Sequence, residues 1–284
     1  MTSAYPFSFY LPAAVIYGVF FLVPTITSFY FSLTRWTLFD VQFIGIDNFQ
    51  QFFREPALVK GFTNTFIYAF VTCGAKVILG LLLGAVLSSQ IIARGFLRSA
   101  IFFPVLVSSI GVGITWKALM DPFDGLLNQA LAVIGLHGPG WLTDPSIALL
   151  SVAVVDIWQG VGLATLIFIA GITSIPQEVY EAAAVDGANT WQKFRKVIVP
   201  LVRPATTTVL ILSLIGGLKS FDLIWTMTKG GPGFTSDVVA SVIYKQYQAG
   251  FFGLSTARNV VLFVVVVALV VPLQTWLNRG NSEG

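Results

Sequence analysis

Charge is scarce in this chain. Asp, Glu, Lys and Arg make up 10% of its 284 residues, against 56% apolar residues. So little charge cannot clothe a soluble domain, and a mean hydropathy of +0.83 points the same way. Histidine and cysteine are nearly missing, with His137 and Cys73 each alone of their kind. One cysteine forms no internal disulfide, and one His with one Cys supplies neither a metal site nor a Cys/His nucleophile pair. No catalytic residue and no metal ligand is therefore expected. A phosphate-cradling G-x-x-x-x-G-K-[ST] loop is absent. The net charge of +3 is not concentrated into a basic surface of useful size, which excludes nucleic acid as a partner. Neither a repeat of 20–50 residues nor a low-complexity tract is found. The opening MTSAYPFSFYLP has no basic leader and no A-x-A site, so it reads as the start of a first span, not as a cleaved signal.

What is present is a series of long apolar runs, at residues 9–33, 62–92, 96–120, 146–174, 205–228 and 257–277. Crossing the hydrocarbon core takes about 20 apolar residues as a helix. An unpaired backbone in lipid is too costly for any other form, and the alternating period of a barrel strand is missing. The fold class expected is all-α, a polytopic membrane protein of six transmembrane helices. Basic residues are densest in the loops and tail holding Arg94, Arg98, Lys193, Arg195, Lys196, Arg203 and Arg279. Residues 121–145 hold none. This bias places both termini and residues 175–204 in the cytoplasm. Outside, GIDNFQQFF reads as a short surface helix and KGGPG as a turn.

The densest charge falls between Glu178 and Arg203, in the middle of the chain. Ser174 is a possible cap, Pro176 suits a first turn, and Glu178 suits the positive helix end. VYEAAAVD is strongly helix-forming, Gly187 offers a cheap left-handed stop, and Asn189 can cap a second short helix, NTWQKFRKVIV. The result is a helix–Gly–helix hairpin outside the membrane. An ordinary solvated loop needs no three consecutive alanines. A slim knob entering a partner's groove does, with Glu181 and Asp186 free to meet basic groups.

EAAAVDGANTWQKFRKVIVPLVRP resembles the EAA motif of binding-protein-dependent ABC importer permeases: EAA, a Gly three residues on, then a downstream Ile and Pro. Glu181, Ala182, Ala183, Asp186, Gly187, Ala188 and Ile198 stand at matching positions, with Pro200 close to the family's proline. WQGVGLATLIFIAGITSIPQEVYEAAAVDGA, FDLIWTMTKGGPG and RSAIFFPVLVSSIGVGITWKALMDPFDGLLN are similar to the sugar-uptake, maltose-permease branch. The resemblance implies a coupling helix between spans four and five that docks on a cytoplasmic ATPase. Glu181 would meet a basic group there, and Gly187 would turn the chain. It further implies a second homologous permease (a heterodimer), two copies of the ATPase, an external solute-binding protein, a sugar substrate, and residence in a bacterial or archaeal inner membrane. This chain would bind no cofactor, and ATP and Mg would act at the ATPase.

Polar residues inside spans are costly and usually face a cavity. Asp156, Gln159 and Gly160 share one helical face, as do Ser213, Gly217 and Ser220 on a second helix. The resemblance implies that these residues line the substrate path, where acids, amides and hydroxyls could orient a sugar and Trp158 could stack. Serines and glycines suit helix packing equally well. Lys76 lies deep in span two and needs a partner such as Asp156 or a watery path. The alternative function is a secondary transporter or channel driven by an ion gradient, for which paired half-helices or repeated hydropathy would be expected. An intramembrane enzyme would need an acid cluster or nucleophile–base pair that the chain lacks.

Overall fold

The computed structural model describes residues 7–37 and 39–282. Residues 1–6 of the opening stretch lie outside that range. Among the described residues, four helices are long and apolar enough to cross a membrane: α1 (Leu11–Ser32), α3 (Pro56–Ser88), α7 (Ala148–Thr173) and α13 (Phe252–Ser282). Two bent pairs raise the number to six when each counts as one span. They are α4 (Arg94–Leu106) with α5 (Ser109–Leu119), and α9 (Thr190–Leu201) with α10 (Arg203–Leu218). Short helices complete the set: α2 (Asp47–Arg54), α6 (Leu126–Val133), α8 (Gln177–Val185), α11 (Asp222–Met227) and α12 (Val239–Gln248).

The chain divides into two compact units. The first comprises residues 1–59 and 242–265. Here α1 leads into a two-stranded antiparallel hairpin, β1 (Thr34–Trp36) with β2 (Val41–Phe43), in which Arg35 stands opposite Gln42. The buried Asn48 at the start of α2 ties the hairpin down by donating to the carbonyls of Ser32 and Thr34, at 2.9 and 2.8 Å. Trp36 stacks on Phe31 and meets Phe252, so the segment after α1 is held by aromatic contacts. The fully buried Arg258 pairs with Glu55. Truncating Glu55 would strand the Arg258 charge away from water.

The second unit comprises residues 60–241 and 266–284 and holds the larger core. Near one end, Tyr68, Val112, Met120, Val152, Val155 and Ile224 pack together. Near the other, Phe168, Ile172, Val202 and Val209 do so. α7 runs through both clusters and is the most buried of the long apolar helices. Its backbone comes close to α4, because a Cβ added at Gly162 would lie 2.3 Å from the Ile101 carbonyl oxygen. Only a glycine permits that approach.

Two of the expected straight spans are interrupted. The run at 96–120 bends by 99° between α4 and α5, just after Pro104. The helix runs through Pro104, and the break comes where Val107 and Ser108 turn extended. The run at 205–228 stops at Leu218 and restarts at Asp222 as α11. The intervening polar pair Lys219 and Ser220 lies where the helix is open. α11 then packs against α5. Ser174 does not cap α8. It ends α7, donating to the Gly171 carbonyl at 2.8 Å, while Pro176 stands at the start of α8. Pro176 holds an extended conformation there and makes no side-chain cap.

Candidate functional site

Polar groups concentrate at the break between α10 and α11. A cavity of about 270 Å³ opens there, bordered by Ser109, Asp156, Gly216, Lys219, Ser220 and Asp222. Phe221 and Leu223 contribute the remaining wall. Ser109 stands at the first turn of α5, so both helix breaks face this space. A broken helix leaves backbone groups unsatisfied, and in a membrane such backbone is tolerated where it lines a watery or protein-lined space.

Asp156 projects from α7 and pairs with Lys76 of α3, Nζ to Oδ2 at 2.8 Å. The side chains are only 10% and 19% exposed. Gly160, one turn along α7, makes the pair possible. A Cβ there would lie 2.6 Å from Lys76 Cε and 2.9 Å from Nζ, in the space the lysine uses. The fully buried Tyr68, two turns before Lys76 on α3, brings its hydroxyl beside Asp156 and Ser220 without completing a hydrogen bond to either. Gln159 is buried and turned elsewhere. Its Nε2 donates to the Val107 carbonyl at 2.9 Å, satisfying an acceptor freed by the bend between α4 and α5.

Of the residues expected along a path, the structure thus brings Asp156 and Ser220 to the cavity wall. Gly160 supports Lys76, and Gln159 supports the bend. Gly217 turns away and packs on α3, where a Cβ would meet the Ala69 Cα at 2.6 Å. Its neighbour Gly216 borders the cavity. Ser213 is half-buried within α10 and is not part of that wall. Trp158 meets the ring of Trp116 edge-on. Reasoning on a straight span five missed Gly216, Lys219 and Asp222 as wall residues, because the helix ends before Ser220 and rotates the register. Ser109 and Tyr68 lie on other helices, and no spacing argument links them to α7.

The second constellation is the hairpin after α7. α8 closes with a Schellman turn: Ala188 N–H donates to the Ala183 carbonyl (2.9 Å) and Gly187 N–H to that of Ala184 (3.1 Å), with Gly187 at φ +74°. Asn189 then starts α9 with a reciprocal capping box with Gln192, at 2.9 and 2.8 Å. Turn and cap together fix the angle between the two helices. Glu181, Ala182, Asp186 and Gly187 are exposed, and Val185 is 88% exposed at the tip. Ala183 and Ala188 are half-buried. Glu181 is held by Gln177, whose Nε2 donates to Oε1 at 3.0 Å. An apolar groove of about 1040 Å³ separates the hairpin from the ends of α3 and α7, bordered among others by Ala85, Ile172, Tyr180, Trp191 and Phe194. Partial burial pushes the Tyr180 phenol above its usual range.

Among the described residues there is no group of three or more His, Cys, Asp or Glu that could hold a metal. A polar cavity at helix breaks and a rigid polar hairpin define a membrane translocation subunit. The chain belongs to the family of binding-protein-dependent transport system inner membrane components, which it matches over residues 76–282. It is 30% identical over 263 residues to the trehalose/maltose transport system permease protein of Thermococcus litoralis, covering 92% of this chain and 89% of that one. It is 31% identical over 286 residues to the arabinooligosaccharides transport system permease protein of Bacillus subtilis, covering 99% and 90%. Its fold is shared with a chain of a bacterial ABC transporter that imports the acidic polysaccharide alginate, at a TM-score of 0.85, 23% identity, and coverage of 96% and 94%. The chain is therefore an ABC transporter permease, and family membership decides against the ion-gradient alternative.

Proposed function

We propose that this permease carries a sugar or sugar-like solute across the inner membrane, taking it from an external solute-binding protein. The observation that carries this reading is the polar cavity at the double helix break, with Asp156 and Ser220 on its wall. Carboxylates, hydroxyls and opened backbone suit a hydroxyl-rich solute. Relatives named for trehalose/maltose and arabinooligosaccharides support the substrate class.

Import is driven by a separate cytoplasmic ATPase, present in two copies, at which ATP and Mg act; this chain holds neither. Glu181, Ala182, Ala183, Asp186, Gly187 and Ala188 form the docking knob. The Schellman turn and capping box keep it stiff, so that closure of the ATPase moves α7 and α9 and not merely a loop. A second homologous permease completes the path as a heterodimer. The six spans run with both termini and residues 175–204 in the cytoplasm, so that α9 lies outside the membrane and α10 enters it, in agreement with the basic residues of that stretch.

The test is ATP hydrolysis by the reconstituted complex, with its binding protein and a panel of neutral sugars. At least one sugar is expected to stimulate hydrolysis, and the purified permease alone is expected to hydrolyse none. Hydrolysis by the permease alone, or uptake that survives loss of ATP and collapses with an ion gradient, would overturn the reading.

A further inference from the structure

We infer that Lys76 sets the charge of the solute path: by neutralising Asp156 through the space left at Gly160, it makes the path one for uncharged polyhydroxylated solutes. This rests on the proposed sugar path and names the class of solute it admits. α3 lies outside the two helices from which the path residues were expected, and Lys76 is a positioning residue set behind the cavity wall.

The charges around the cavity can be set against one another. Asp156 and Asp222 border it, and so does Lys219. Those three alone leave one negative charge in excess. Lys76 removes the excess without occupying the wall, since its ammonium reaches Asp156 Oδ2 at 2.8 Å from a side chain only 10% exposed. The route is specific to this backbone. A Cβ at position 160 would collide with the last two carbons and the nitrogen of that lysine. The pair also fixes Asp156 in place, beside a Tyr68 hydroxyl that is fully buried and has no hydrogen-bond partner. A buried hydroxyl without a partner is uncommon and costs stability. Here it adjoins two wall residues, Asp156 and Ser220, and so packs behind the wall. An uncompensated carboxylate at this depth would instead favour a cation, because a charge is felt strongly in a poorly solvated space.

The experiment reads cavity charge without needing the natural sugar. In the assembled transporter in membranes, Cys73 is replaced by Ser and a reporter thiol is placed at the wall as Ser109→Cys. Labelling rates are measured with a cationic (trimethylammonium) and an anionic (sulfonate) methanethiosulfonate of similar size. With Lys76 present, their ratio is expected to match that of a free thiol. Lys76→Met should raise the cationic-to-anionic ratio about tenfold. Asp156→Asn should shift it the other way. Lys76→Arg and the double variant Lys76→Met/Asp156→Asn should both return it to the starting value. A merely structural lysine would not give rescue by removal of both charges. Labelling with the same ratio in every background would overturn the charge assignment while leaving the path intact. Labelling in no background would remove the path itself, and the assignment with it.

Discussion

Gln159 Nε2 donates a 2.9 Å hydrogen bond to the carbonyl oxygen of Val107, 52 residues away on the other side of a helix break. The carbonyl has lost its helical partner because α4 ends there and α5 starts at Ser109 with the chain turned by 99°. Gln159 is therefore what lets the bend sit at membrane depth. Gln159→Leu keeps the volume and leaves the Val107 carbonyl unpaired, at a cost of about 1–3 kcal/mol. A lower melting temperature of the detergent-solubilised complex is expected, together with reduced uptake. An unchanged melting temperature would show that another donor serves Val107.

What the sequence made legible follows from which physical rule was local. Apolar length and the cost of bare backbone in lipid are properties of a segment, so the long helices were readable. The hairpin was readable for the same reason: Gly187 and Asn189 act within a turn of themselves, and both do what their residue types predict. Breaks inside apolar runs were not readable, since hydropathy is blind to a bend. Extending span five as one helix put Ser213, Gly217 and Ser220 on a single face, whereas the chain leaves the helix after Leu218 and only Ser220 reaches the cavity. Gly160 and Gly217 look alike in sequence. One faces a lysine and the other a backbone, and only the packing of α3 separates them.

Gly162 and Gly111 should respond to alanine in opposite ways. At Gly162 a Cβ would press on backbone atoms of α4, 2.3 Å from Ile101 O and 3.0 Å from Phe102 Cα, so two helices would have to part. Overpacking of this kind costs about 1–3 kcal/mol. At Gly111 a Cβ meets nothing within 4 Å, and alanine there gains helix propensity of up to about 1 kcal/mol. Thermal unfolding of the two variants in the same detergent is expected to show Gly162→Ala lowered and Gly111→Ala unchanged or raised. Equal behaviour would mean that α4 and α7 are not in that close contact.

Glu181 tests the polarity of the proposed docking knob apart from its shape. Its carboxylate is exposed and accepts from Gln177 at 3.0 Å. Glu181→Gln keeps a side chain that can accept the same bond, and Glu181→Lys reverses the charge. Neither should alter membrane insertion or helix stability by more than about 0.5 kcal/mol. Co-purification of the ATPase should fall in Glu181→Gln and be lost in Glu181→Lys. Retention of the ATPase by both variants would place the electrostatic contact elsewhere on the hairpin.

Gly187 tests the shape of the same knob. Nothing lies within 4 Å of a Cβ built there, so sterics with neighbours do not decide its replacement. The backbone does, because φ is +74°, and the Schellman bonds to Ala183 and Ala184 exist only in that conformation. Asparagine tolerates the left-handed region, alanine pays about 1–2 kcal/mol to enter it, and a β-branched side chain is excluded from it more strongly. Uptake and solute-stimulated ATP hydrolysis are therefore expected to fall in the order Gly, Asn, Ala, Val at position 187, with membrane insertion constant across the series. An order set by side-chain volume, with Asn worse than Ala, would mean that the partner's groove and not the turn makes Gly187 necessary.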